Sequence, residues 1–170
     1  MNLSKIFIII LVFFFNINIA FSNEKFAFIN IDKVLKNSIY GNSLLEDIQN
    51  LNKKNIEKLK NNEINLKKKE ENLNKKKNII SKEEFEKELN ALKEEIILYR
   101  SQKDKMVNEI ENKRKDSLNS FFAKINPIIQ DYMDENSISL LFEQKNVFIG
   151  KNSLDITDEI VKKINEKFKQ

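Results

Sequence analysis

The chain has 170 residues, with 30 lysines and arginines against 26 acids, a net charge of +4, two glycines, one proline and no cysteine, tryptophan or histidine. Without cysteine there is no disulfide framework, and without histidine the commonest metal ligand and neutral-pH base is missing, so catalysis and metal chemistry are disfavoured. A third of the residues are charged and helix breakers are scarce, which suits long solvated helices better than one thick core.

Residues 1–22 read as a signal peptide. Lys5 supplies the positive start, residues 6–15 an unbroken apolar run, and Ala20-Phe21-Ser22 a small-residue site, with cleavage expected after Ser22. The run is shorter than the ~20 residues that span a bilayer, and no cysteine follows it to carry a lipid. Removing the leader removes Lys5 and no acid, which leaves 29 − 26 = +3.

Residues 23–42 form the first part of a body. KFAFINI, 25–31, is apolar on both alternating faces, as in a strand buried on both sides. Asp32 then caps a short helical turn through Val34 and Leu35, which Gly41 breaks. Ser43 and Glu46 form a capping box that starts an ascending helix. Its apolar residues are sparse. Leu45, Leu59, Leu66 and Leu73 share a seven-residue ladder interrupted by Asn52, which makes one narrow stripe.

A second capping box, Ser81 to Glu84, follows a tip at 78–81, where the chain turns back. The descending helix carries Phe85, Leu89, Leu92, Ile96, Tyr99, Lys103, Met106, Ile110 and Lys113 in alternating steps of four and three. Residues 43–117 therefore make an antiparallel coiled-coil hairpin, an arm on the order of 50 Å long at ~1.5 Å per residue.

Residues 118–170 return to the body. Leu118, Phe121, Phe122, Ile125, Ile128, Ile129, Tyr132 and Met133 widen the stripe, and Pro127 should kink the helix. A β-hairpin of 138–142 with 147–149 and a final helix capped by Asp155 complete the chain. The fold class is α+β: a body of three short strands and a long helical arm. So small a sheet leaves open edges and buries little, so oligomerisation should complete it. Its core and interface residues are Phe26, Phe28, Ile29, Ile31, Leu140, Phe142, Val147 and Ile149.

Two lysine runs stand out on the arm: Lys67, Lys68 and Lys69, then Lys75, Lys76 and Lys77. They are candidate contacts for an acidic client or a lipid headgroup. The plainer reading is a solvated helix face that partly neutralises Glu83, Glu84, Glu86, Glu88, Glu94 and Glu95 across the hairpin. Even so, residues 53–77 carry ten lysines against four glutamates. Asn52, Asn55 and Asn62 on or near the seam should keep the arm marginal and flexible. No phosphate loop, catalytic constellation, metal cluster or cofactor motif is present, and the basic stretch lacks the interleaved aromatics of a nucleic-acid surface.

FAFINIDKVLKNS near the start and NPIIQDYMDENSISLLFEQKNVFIGKNSLDITDEIVKKIN near the end resemble the opening and closing segments of the Skp/OmpH family of periplasmic chaperones. The resemblance implies a homotrimer with a small β body and three helical arms. It further implies that unfolded outer-membrane proteins are held between the arms in the periplasm without ATP. It also raises contact with anionic lipid or lipopolysaccharide, although that charged cluster does not map onto residues here. A periplasmic coiled-coil spacer or adaptor for one envelope partner is the alternative, and it calls for a stiff apolar seam.

Overall fold

The computed structural model describes residues 24–169; the leader expected over 1–22 lies outside them. The first strand, β1, is Lys25–Ile29. It ends sooner than the apolar pattern suggested, because the Asn30 side chain accepts from the Lys33 amide and caps the short helix α1, Ile31–Asn37. Ile31 therefore opens a helix instead of closing a strand, and the cap lies two residues before Asp32.

The ascending helix α2 is Ile39–Lys76. Its N-cap is Ser38, which accepts from the Gly41 amide at 3.1 Å, while Asn165 accepts from the Ile39 amide at 2.7 Å. Ser43, expected to cap this helix, lies inside it and donates its hydroxyl to the Tyr40 carbonyl. Gly41 is not a breaker either. A Cβ there would overlap the Leu35 carbonyl, so glycine is what allows α1 and α2 to meet so closely.

The tip falls where the second capping box puts it. Ser81 accepts from the Glu84 amide and begins α3, Lys82–Asn136. This helix continues through the exposed Pro127 and ends at Ser137, whose left-handed backbone (φ 55°) turns the chain into β2, Ile138–Glu143.

β1 and β2 pair in parallel, with Phe26 opposite Leu140, Ala27 opposite Leu141 and Phe28 opposite Phe142. Parallel neighbours need a long crossover, and here the whole arm provides it. The hairpin expected between 138–142 and 147–149 does not form. A 3-10 turn at Gln144–Asn146 redirects the chain, and the following segment folds over Phe28: Gly150 packs on its ring, and the Ile156 amide donates to its carbonyl at 3.1 Å. Among the described residues two strands, not three, pair in the sheet.

Asp155 accepts from the Thr157 amide and hydroxyl, and so caps the last helix, α4 (Thr157–Phe168), from just outside its first turn. The core lies where α4 meets the root of α3. Val34, Phe121, Ile125, Ile160 and Ile164 are wholly buried there, beside Ala27, Ile29, Ile128, Ile129 and Ile156. Tyr40 closes its edge, stacked on Phe168 at 4.8 Å with the Lys124 ammonium 4.6 Å above its ring.

Candidate functional site

The arm is the only long projection among the described elements: 38 residues of α2 rise and α3 returns alongside. At ~1.5 Å per residue, α2 alone spans roughly 57 Å. Two ladders join the helices. One is apolar, with Leu73, Leu92 and Met106 buried and Leu59, Leu66, Phe85 and Tyr99 partly so.

The other ladder is polar. Asn55 donates to Glu109 at 3.2 Å, Asn62 to Gln102 at 2.9 Å, Lys69 to Glu95 at 2.6 Å and Lys76 to Glu88 at 2.7 Å. These rungs step by seven residues up one helix and by seven down the other, so a single register satisfies all four. A slip of one residue would break every rung, which is how polar seam positions specify register at a cost in stability.

The expected lysine cluster is thus divided between two roles. Lys69 and Lys76 are seam residues bound to Glu95 and Glu88. Lys67, Lys68, Lys75 and Lys77 point to solvent, and no ion pair involves them among the described residues. Exposed apolar side chains share the arm surface with them, namely Ile56, Ile64, Ile97, Leu98 and Val107. A shallow cleft beside the polar ladder brings Lys68, Asn65 and Asn72 together with Leu66, Leu98 and Tyr99. Leu66 and Tyr99 belong to the apolar ladders expected from the sequence, whereas Leu98 lies off the steps of four and three and was missed.

The eight residues expected for the body core and interface also divide. Phe28 and Ile29 are buried, and Ile31 and Val147 partly so. Phe26, Leu140 and Phe142 are about half exposed on one face of the sheet, and Phe148 and Ile149 are almost fully exposed beside it. Exposure in the chain alone leaves this apolar face without a cover. Two ionisable groups in the body are perturbed. Burial, and next Glu159, raises the Tyr132 phenol, while the hydrogen bond from Lys163 to Glu135 raises the ammonium.

Among the described residues no group of three or more acids forms a metal cluster, and no helix is long and apolar enough to cross a membrane. What the geometry defines is an α+β protein that presents a long polar-seamed helical hairpin from a small body. The profile of the OmpH-like outer membrane protein family matches residues 25–164, and the chain belongs to that family. A crystal structure of an OmpH-like protein from Caulobacter crescentus, proposed as an outer membrane chaperone, superposes with a TM-score of 0.80 at 17% identity, covering 86% of this chain and 87% of that one. No curated protein matches the chain significantly in sequence.

Proposed function

We propose that the protein is an ATP-independent periplasmic holdase, not an enzyme, that binds unfolded outer-membrane β-barrel proteins between its arms and keeps them soluble. The observation that carries this reading is the arm surface, where unpaired lysines and exposed aliphatics share a hairpin whose seam is half polar. Such a surface attracts acidic, apolar chains by long-range charge and holds them by many weak contacts. A spacer would favour a stiff apolar seam, and four polar rungs argue against one.

In the same reading the leader over 1–22 is cleaved after Ser22 and the body assembles as a homotrimer through Phe26, Leu140, Phe142 and Ile149. The body would comprise 23–42 and 118–170, with the arm at 43–117. Lys67, Lys68, Lys75 and Lys77 meet clients directly, while Lys69 and Lys76 act through the seam. Anionic lipid or lipopolysaccharide headgroups would meet the same exposed lysines.

The test is light scattering with a denatured outer-membrane β-barrel diluted into the mature protein without nucleotide. Stoichiometric suppression of aggregation that weakens as salt rises is expected, since at 0.15 M screening acts beyond about 8 Å. No suppression at any ratio overturns the reading. Sedimentation tests the assembly: Phe142→Asp and Ile149→Asp, each exposed in the single chain, should yield folded monomers. An oligomer unchanged by both would move the interface elsewhere.

A further inference from the structure

At the root of the arm, α1, α2 and α3 enclose a groove of about 320 Å³, at the small end of the range for ligand sites. Its walls are Leu35, Leu44, Leu45 and Ile48, and its polar lining is Gln49, Arg114 and Ser117. Ser117 is 6% exposed, and its Oγ is a buried polar atom with no hydrogen-bond partner. A buried hydroxyl left unpaired is costly and calls for an explanation. Arg114 takes part in no ion pair among the described residues, and no acid lines the groove.

A guanidinium and a free hydroxyl beside aliphatic walls suit a carboxylate attached to an apolar group, because the guanidinium fork matches carboxylate geometry. The apolar surface does not stop at the groove. Leu118 lines its edge and Phe122, one turn further along α3, is also exposed. That continuation suits a chain whose preceding residues lie along the helix, and so a polypeptide end more than a lone acyl chain.

We infer that this groove seats the C-terminus of an unfolded polypeptide, with the last apolar side chain between the leucines and the free α-carboxylate between Arg114 and Ser117. The inference rests on the holding role proposed above and adds a defined anchor to it. The carboxylate accepts from the Arg114 fork and, once the Ser117 side chain turns toward the groove, from its hydroxyl, which gives a partner to the one buried hydroxyl left unpaired among the described residues.

The experiment is fluorescence anisotropy of the mature protein with a short labelled peptide ending in leucine, compared with the same peptide carrying a C-terminal amide. The free acid should bind about tenfold more tightly, the scale of one charge-assisted hydrogen bond. Arg114→Gln should abolish that preference. Ser117→Ala should weaken acid binding severalfold while leaving Tm unchanged or raised, since it deletes an unsatisfied group; a merely structural serine would lower Tm instead. Equal affinity for acid and amide, or a preference that survives Arg114→Gln, overturns the inference. So does decanoate binding that depends on Arg114 where the peptide acid shows none. Aggregation of a full-length client unchecked by the native protein would defeat the holding role itself, whereas suppression without acid preference would remove only this anchor.

Discussion

The body and the arm are built from the same few residue types and reach opposite ends of packing. In the body, Val34, Phe121, Ile125, Ile160 and Ile164 have no exposed surface. Along the arm the most buried side chains, Ile48, Asn55, Leu73, Leu92 and Met106, keep 6–9%, and every second seam layer is a polar rung. Burial at about 25 cal/mol per Å² accumulates in the first and is interrupted in the second. One covalent chain therefore holds a unit that stays folded and a unit whose two helices can part locally at small cost.

Breaking the body should have the largest effect. Phe121→Ala leaves a cavity at the meeting point of α3 and the core and should cost about 3–5 kcal/mol, read as a lowered denaturation midpoint. The arm should respond in the opposite direction. Replacing Asn55 and Asn62 with leucine removes polar rungs in favour of apolar contact, and should slow amide exchange in 50–66 and 98–110 without changing exchange in the body. Equal protection in arm and body before any substitution would erase the contrast.

The third change separates the two kinds of lysine. Lys67→Gln, Lys68→Gln, Lys75→Gln and Lys77→Gln together should slow client capture more than they speed release, since steering acts on association. Lys69→Gln with Lys76→Gln should instead loosen the tip, read by exchange at 69–76 and 88–95. The smallest effect is expected at Lys163, an exposed partner of Glu135. Its raised pKa means that whatever the pair contributes is fully present at neutral pH and lost only as pH climbs through the higher folded value; because both partners are exposed that contribution is small, so Lys163→Ala should lower Tm at neutral pH only slightly.

The same contrast explains what the residues disclosed before any coordinates. The tip was legible because Ser81 and Glu84 act locally, and the apolar ladder of Phe85, Leu92, Tyr99 and Met106 because a heptad is a local pattern. Ser43 misled because an equally suitable cap, Ser38, is fixed by Asn165 from the far end of the chain. The strand expected at 147–149 failed for a similar reason, since Phe28 draws that segment over its ring. Lys69 and Lys76 were read as client contacts or as part of a solvated face that neutralises acids across the hairpin, Glu88 and Glu95 among them; their place in the seam was missed, although their seven-residue spacing from Asn55 and Asn62 continues it. Ser117 gave no signal at all: its orphaned hydroxyl exists only once three helices have met.

The parallel pairing of β1 with β2 also sets an order of events. Phe26 is synthesised early and Leu140 late, with the entire hairpin between them. The helices can form from neighbouring residues as they emerge, but the sheet cannot close until the last residues of β2 have been delivered, and such distant pairings are the slow ones. A chain stalled partway through synthesis would thus display an arm with no body beneath it, and any subunit contact made through the sheet is deferred until β2 has been made.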